Sequence, residues 1–120
     1  MQLQDEGVLL RVFIGELDKV DHKPMYEAIV HKAKEAGLAG ATVWKGIEAF
    51  GAASRIHTTK ILRLSEDLPL IIEIVDTEEK INSFVPQLNA MFEDAGCGGL
   101  VTMEKVKVIK YTPGDNVRKG

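Results

Sequence analysis

Four apolar runs of strand length and two runs with helical spacing account for most of the chain. Gly7 to Gly15 has apolar residues on both faces of its alternation, which is typical of a strand inside a sheet. Leu68 to Val75 is almost wholly apolar and predicts another buried strand. Ala41 to Phe50 and Leu100 to Tyr111 predict two more, so the sequence indicates a four-stranded sheet.

The helical runs lie between the first and second strands and between the third and fourth. The first helix is predicted to begin near Pro24, with Asp21 as its N-cap. The second has apolar residues every three or four positions after a cap at Asp76 or Thr77. Pro86 lies inside it and predicts a kink or a restart, because its ring would clash with the carbonyl four residues earlier.

The order strand, helix, strand, strand, helix, strand is that of the ferredoxin-like sandwich. In this α+β fold a four-stranded antiparallel sheet carries both helices on one face. Several residues directed to the uncovered face are apolar, so we expect a homo-oligomer that packs sheet faces inward. We expect one domain over residues 1–120, with its core at 7–111 and a mobile tail at 112–120.

Composition narrows the class of protein. The 120 residues carry 15 basic and 18 acidic side chains, a net charge of −3, without the basic stripe typical of nucleic-acid binding. Cys97 is the single cysteine, so it forms no disulfide within the chain. The amino terminus lacks a signal-peptide pattern, and no apolar run reaches the roughly 20 residues of a membrane span. We expect a cytoplasmic protein that neither binds nucleic acid nor inserts into a membrane.

RNA binding requires a separate test, because the RNA-recognition motif has the same order of elements. Val12 to Leu17 matches most positions of that motif's first-strand signature. The third strand, LPLIIEIV, has no aromatic residue to stack on bases and no basic residue. The short match is therefore interpreted as a buried strand that contains one phenylalanine.

Two glycine-containing segments are candidates for ligand binding. Gly51 to Lys60 carries small residues and then polar ones between two strands, and Gly96 to Gly99 ends the second helix. Backbone N–H groups in such loops can hold phosphate oxygens, and an arginine adds a bidentate donor. The predicted ligand-binding residues are Gly51, Ala52, Ala53, Ser54, Arg55, His57, Gly96, Gly98 and Gly99.

Two other kinds of site stay open at this point. Glu48, Glu73 or His57 could act as acid or base in a small ferredoxin-like enzyme, although no nucleophile is grouped with a base and an orienting residue. The three histidines lie on different elements and lack the close spacing of metal ligands. A divalent-metal-binding trimer that uses His57 is the second alternative.

The chain as a whole resembles a known family. GVLLRVFIGE, the run KPMYEAIVHKAKEAGLAGATVWKGIEAFGAASRIHTTKILRLSEDLPLIIEIVD and the run GLVTMEKVKVIKY are similar to PII-like proteins of bacteria and archaea, which are related to nitrogen-regulatory PII. The resemblance covers Gly7 to Tyr111. It implies a ferredoxin-like homotrimer that binds ATP or ADP between subunits, with Gly51 to Arg55 and Gly96 to Gly99 as the two walls of the cleft.

The departures from the family's pattern fall on phosphate-binding positions. Leu70 stands where PII proteins carry a lysine, and Leu100 with Val101 replaces a lysine after the glycine loop. Lys107 and Lys110 are the nearest equivalents of two arginines near the end of the last strand. The loop is shorter and has no tyrosine, so the family's tyrosine modification is not implied. The resemblance therefore implies the family's class of ligand more strongly than it implies ATP in particular.

The resemblance therefore leads to a specific hypothesis. The chain is expected to be a non-enzymatic signalling protein, a homotrimer that binds an adenine nucleotide (ADP, ATP or AMP) and needs no metal. Its loop over residues 51–64 is expected to contact a protein target, a membrane transporter being one candidate. Such a switch requires that the ligand bind two states of the loop with different affinity.

Overall fold

The structure, a computed structural model, describes residues 5–46, 48–50, 56–58 and 68–114, with the backbone alone described for Asp5, 48–50 and 56–58. Its elements in chain order are β1 (Asp5–Gly15), β2 (Lys19–Val20), β3 (Lys23–Pro24), α1 (Met25–Glu35), β4 (Thr42–Lys45), β5 (Glu48–Phe50), β6 (Ile56–Thr58), β7 (Pro69–Asp76), α2 (Glu78–Ala95) and β8 (Leu100–Val108).

Four of these strands form one antiparallel sheet in the order β4-β7-β1-β8. The interior strand β1 has Val12 opposite Ile72 of β7 on one side and opposite Val101 of β8 on the other. The edge strand β4 pairs with β7. Because α1 lies between β1 and β4 in the chain and α2 joins β7 to β8, this is the ferredoxin-like sandwich. The predicted α+β fold is confirmed.

The hydrophobic core lies between the sheet and the two helices. Alternate residues of β1 and β7 point to this side, as the period of two requires, and meet one apolar stripe from each helix. Burying a side chain of this size stabilises the fold by about 1.5–3 kcal/mol. The largest side chains that are fully buried in this core are Leu10, Val12, Met25, Ile29, Ile72, Ile74, Ile81, Phe84 and Leu88.

The start of α1 differs from the prediction. Asp21 and His22 form the two-residue turn between β2 and β3, with φ of 51° and 67°. Two consecutive positive φ values are the pattern of a type I′ hairpin turn. The prediction of Asp21 as N-cap is therefore wrong. Pro24 stands at the cap without a side-chain bond, and the Met25 N–H donates to the Asp18 carbonyl at 2.8 Å instead.

The second helix, α2, begins and ends as predicted but is not interrupted. Thr77 Oγ1 accepts a bond from the Lys80 N–H at 3.3 Å, which caps the first turn. The helix then continues through Pro86, which excludes the predicted restart, and the alternative of a kink stays a prediction. Pro86 and Asn82 are both exposed, so water can satisfy the Asn82 carbonyl that loses its helical partner. Gly96 ends the helix in the left-handed region, with φ of 67°.

The predicted second strand is divided at Gly46. Its first part, β4, ends at Lys45 in the main sheet, whereas β5 pairs with β6 in a separate ribbon. The Gly46 N–H donates to the Pro69 carbonyl at 2.7 Å, and the chain then leaves the sheet. Pro69 has no N–H with which to extend the ladder, which explains the early end. The loop predicted from residue 51 therefore has its base at Gly46.

The carboxyl-terminal part of the described chain runs along the surface. The last strand, β8, ends at Val108, before the predicted end at Tyr111, and the Ile109 that follows it is 84% exposed. Residues 112–114 of the predicted tail are exposed, and 115–120 lie outside the described residues. Neither α1 nor α2, the helices of the described chain, is long and apolar enough to cross a membrane.

Candidate functional site

The base of the loop over residues 47–67 is held at both ends. Where the chain leaves, the Gly46 N–H donates to the Pro69 carbonyl at 2.7 Å, and where it returns, the Leu68 carbonyl accepts from the Glu16 N–H at 2.7 Å. The Lys45 Nζ forms an ion pair with Glu16 Oε2 at 2.8 Å beside these bonds. Because Glu16 follows β1, the loop is anchored to the interior of the sheet.

Within this loop β5 and β6 form a short antiparallel ribbon, and the chain that joins them is the segment predicted to bind a ligand. His57 lies in β6, opposite Ala49, but its side chain lies outside the described residues. The connecting residues also lie outside them, so their predicted contacts stay predictions. These residues are Gly51, Ala52, Ala53, Ser54 and Arg55.

The second predicted wall, Gly96 to Gly99, lies within the described residues. Its three glycines differ in whether the local structure requires a glycine. Gly96 adopts the left-handed conformation that ends α2. A methyl group on Gly99 would overlap the Phe92 ring and lie 2.9 Å from the Phe13 carbonyl oxygen, so glycine is required for packing. A methyl group on Gly98 meets nothing within 4 Å. Gly98 is therefore the glycine of this segment that local packing does not explain.

Cys97 lies between these glycines and packs inward. It is half-buried, and its Sγ donates to the Met25 Sδ at 3.4 Å. Met25 is a core residue at the start of α1. This contact fits the sequence interpretation of Cys97 as a packed thiol.

The base of the loop that carries the first predicted wall and the segment Gly96 to Gly99 lie at the same end of the sheet but at opposite edges. β4 ends, β7 begins, β1 ends and β8 begins at this end, because Lys45 is opposite Leu70 and Phe13 is opposite both Ile71 and Leu100. The loop base follows the edge strand β4, and Gly96 to Gly99 precedes the other edge strand, β8. Three strand spacings of about 4.8 Å place these edges roughly 14 Å apart.

The sheet face that the helices leave uncovered, which we call the open face, carries one apolar row across all four strands. Trp44 is opposite Ile71, Ile71 is opposite Phe13, and Phe13 is opposite Leu100. Trp44 and Leu100, at the two ends of the row, are each 56% exposed. The row borders the end of the sheet where the loop base and Gly96 to Gly99 lie. Its exposure shows that this face is not completed by the described part of one chain.

Next to this row lies a hydrogen-bonded charged network, which we call the Arg11 network. Arg11 Nε donates to Glu73 Oε2 at 2.8 Å, and Arg11 Nη1 donates to Glu104 Oε1 at 2.6 Å. Trp44 Nε1 donates to Glu73 Oε1 at 2.7 Å. The network therefore joins side chains from all four strands, and it fixes the orientation of the exposed indole.

The bonds from Arg11 and then from Trp44 hold the pKa of Glu73 below its ordinary value. The bond to Glu73 in turn raises the pKa of Arg11. Glu73 is therefore a fixed anion, which does not fit the alternative in which it has a raised pKa and acts as a general acid. Sequence reasoning named Glu73 but missed Arg11 and Glu104. One arginine and one glutamate inside two otherwise apolar strands was a signal that could have paired them.

Metal binding receives no support from the described chain. Its described residues include no group of three or more histidine, cysteine, aspartate or glutamate side chains placed to hold a metal ion. Glu48 is a candidate in the enzyme alternative and His57 is a candidate in both alternatives, and the side chains of both residues lie outside that part.

With the fold described, comparison with known proteins identifies the family. Residues 7–108 match the family described as DUF190 (Uncharacterized ACR, COG1993). The chain belongs to the DUF190 family. A UPF0166 protein from Aquifex aeolicus is 39% identical over 101 residues, covering 84% of this chain and 91% of that protein. Another, from Methanocaldococcus jannaschii, is 40% identical over 88 residues, covering 73% and 81%.

Among solved structures, this member of the DUF190 family is similar to PII-like proteins. CPII from Thiomonas intermedia, a nitrogen regulatory PII-like protein bound to ADP, AMP and bicarbonate, superposes with a TM-score of 0.67 at 16% identity, covering 88% of this chain and 90% of that chain. A PII-like signaling protein from Thermus thermophilus gives 0.63 at 17% identity, covering 89% and 94%. At these identities the likeness shows the fold, and the fold is PII-like.

Proposed function

We propose that this protein is a homotrimeric PII-like regulator, formed from one PII-like domain, that binds an adenine nucleotide between subunits. One observation carries the proposal. The base of the loop that carries Gly51 to Arg55 and the segment Gly96 to Gly99 lie at the same end of the sheet but at opposite edges. A cyclic oligomer brings the β4 edge of one copy beside the β8 edge of the next, because a heterologous interface joins two different surfaces.

The open face supports a second copy of the chain as its cover. Four strands at about 4.8 Å make this face roughly 19 Å wide, and the eight residues of β7 make it about 26 Å long. A single apolar row crosses its full width, from Trp44 to Leu100. An exposed apolar surface that reaches both edges suits contact with two neighbours, as each subunit of a trimer requires.

The chemistry at the two walls favours a nucleotide with few phosphates. Leu70, which stands where PII proteins carry a phosphate-binding lysine, is 5% exposed and packs in the core. The remaining phosphate contacts then fall to Arg55 and to backbone N–H groups of Gly51 to Ser54 and Gly98. ADP or AMP suits this smaller set better than ATP. CPII, which shares the fold, is bound to ADP and AMP.

The output of the switch is the loop over residues 51–64. Its base is clamped by Gly46, Glu16 and Lys45, so a change in the loop is confined to the part beyond this clamp. Ligand binding shifts the loop between two states if it contacts only one of them. We propose that one state binds a protein target, a membrane transporter being one candidate, and that the protein acts in the cytoplasm without catalysing a reaction.

The proposal is tested by calorimetric titration with ATP, ADP, AMP and cyclic AMP. We expect ADP or AMP to bind to the native protein, and Arg55→Ala to weaken binding by about tenfold or more, since a charge-assisted hydrogen bond is worth about 1.5–3 kcal/mol. Lys34→Ala is the matched control, because it removes one positive charge from the exposed side of α1, away from the site. If no nucleotide gives a binding heat, the proposed ligand class is refuted. If Arg55→Ala binds normally, Arg55 is not in the site.

A further inference from the structure

Trp44 is an exposed aromatic side chain that a hydrogen bond holds in one orientation. At 56% exposed, it is the most exposed of the aromatic side chains that the structure describes. Its Nε1 donates to Glu73 Oε1 at 2.7 Å, and Glu73 accepts in turn from Arg11 at 2.8 Å. The bond engages the edge of the indole, so a face of the ring stays available for packing. A ring that is already oriented loses little conformational entropy when a second group stacks on it.

Each end of the apolar row on the open face adjoins one of the two segments expected to bind the nucleotide. At one end, Trp44 lies two residues before Gly46, whose N–H bond to the Pro69 carbonyl holds the loop base. At the other end, Leu100 directly follows Gly99 and is also 56% exposed. The row thus supplies apolar surface immediately beside the proposed phosphate contacts.

The proposed cyclic assembly brings these two ends together. It places the β4 edge of one copy beside the β8 edge of the next, and Trp44 and Leu100 lie on the same sheet face and in the same row. The indole of one copy then faces the aliphatic side chain of the other across the contact. Two apolar walls suit a flat heteroaromatic ring, because such a ring buries both of its faces between them. A charged group in the same place would be buried without partners.

We propose that the adenine ring of the bound nucleotide stacks on Trp44 and that Leu100 of the neighbouring subunit covers its other face. This inference rests on the proposed function and adds the side chains that bind the base. Stacking on an aromatic ring accepts any base, but a purine covers more apolar surface than a pyrimidine does. The slot therefore favours ADP over UDP, whereas the phosphate contacts treat the two nucleotides alike.

The test is titration of the assembled full chain with ADP and with UDP, followed on the same samples by calorimetry and by tryptophan emission. Trp44 is the single tryptophan, so its emission reports on the proposed stack directly. We expect ADP to quench this emission with the dissociation constant that calorimetry gives. Trp44→Leu should weaken ADP binding by about 5- to 150-fold, the factor that corresponds to one base–aromatic stack, and should weaken UDP binding by less. Trp44→Phe keeps a ring and should bind ADP more tightly than Trp44→Leu does.

Ile109→Ala is the matched control, because it removes an 84% exposed apolar side chain from outside the row, and it should keep the native affinity and quenching. Sedimentation velocity on each sample ensures that the variants are compared in the same assembled state. The emission of the native protein needs no variant, so it decides the question if Trp44→Leu fails to assemble.

Three results would overturn the inference. ADP binding that leaves the Trp44 emission unchanged would show that the neighbouring subunit, rather than the base, covers the indole. Native ADP affinity in Trp44→Leu would show that the ring does not bind the base. An equal loss of affinity for ADP and UDP in that variant would assign Trp44 to assembly alone. If neither nucleotide gives a binding heat, the proposed function fails as well, whereas binding without quenching leaves the proposed function standing.

Discussion

Gly98 and Gly99 are neighbours in the chain, but packing requires a glycine at Gly99 and does not explain the glycine at Gly98. A methyl group at Gly99 would overlap the Phe92 ring and lie 2.9 Å from the Phe13 carbonyl oxygen. Phe13 lies on an interior strand paired on both sides, so its backbone cannot yield. Such overpacking costs about 1–3 kcal/mol, and we expect Gly99→Ala to lower the free energy of unfolding by that amount. Gly98→Ala should change it by at most about 0.5–1 kcal/mol.

The two variants should behave oppositely in binding and folding assays. Urea unfolding followed by circular dichroism gives the stability of each, and calorimetry with ADP gives the affinity. We expect Gly98→Ala to keep the native unfolding midpoint and to weaken ADP binding by about tenfold, because its methyl group stands where the ligand must approach the backbone. Gly40→Ala is the matched control, since a methyl group there also meets nothing within 4 Å and Gly40 precedes the other end of β4.

Two outcomes would contradict this reasoning. Native ADP affinity in Gly98→Ala would show that the open space above Gly98 is not a ligand's position. Native stability in Gly99→Ala would show that the Phe92 ring moves aside without loss, so that packing does not require glycine there.

Three other perturbations have defined outcomes. Asp76 is fully buried and accepts from the Ala39 and Thr77 N–H groups at 2.8 and 2.7 Å, so Asp76→Ala should lower the free energy of unfolding by about 3 kcal/mol in a urea titration, and Asp76→Asn by less. Because the folded-state pKa of Glu73 is depressed, its contribution to the free energy of unfolding is present above the unfolded-state pKa and is lost as pH falls through the folded-state pKa. Glu73→Gln should therefore flatten the acid limb of the curve of stability against pH, below about pH 4.5. An unchanged limb would contradict the network's role. Gly46→Ala places a methyl group 2.6 Å from the Pro69 ring and should cost about 1–3 kcal/mol in thermal unfolding; a neutral result would show that the loop base is not tightly clamped.

The principal strands and both helices could be predicted because each has a strong period and a long apolar run. Leu68 to Val75 illustrates this, since a nearly continuous apolar run has few other places to lie than the centre of a sheet. The errors fell where local backbone geometry decides. Asp21 has the chemistry of an N-cap, but a two-residue hairpin uses it at positive φ. Pro86 is tolerated in α2, where Pro86 and Asn82 are both exposed and water can satisfy the freed carbonyl.

The site was less accessible to sequence reasoning. Gly96 to Gly99 was found from its composition, but only the contacts of Gly99 with Phe92 and Phe13 show which glycine packing requires. Arg11 and Glu73 are 62 positions apart; their opposite charges in two apolar strands could suggest the pair, but no local pattern specifies the strand register that joins them. That the loop base and Gly96 to Gly99 lie at opposite edges follows from the strand order, which in turn follows from the crossover connections rather than from any motif.

A mixed-subunit experiment tests the shared site most directly. Arg55→Ala removes one wall's donor, and Gly98→Asp places a negative charge in the other wall. Each variant alone should bind ADP about tenfold more weakly or worse, so that at an ADP concentration near the native dissociation constant its sites stay mostly empty. If the walls come from neighbouring subunits, a trimer assembled from an equal mixture regains about a quarter of its sites, since half of the first walls and half of the second are native. Calorimetry on the co-assembled mixture should show that fraction. No recovered binding, in a mixture shown by mass spectrometry to contain mixed trimers, would place both walls in one subunit and contradict the proposal.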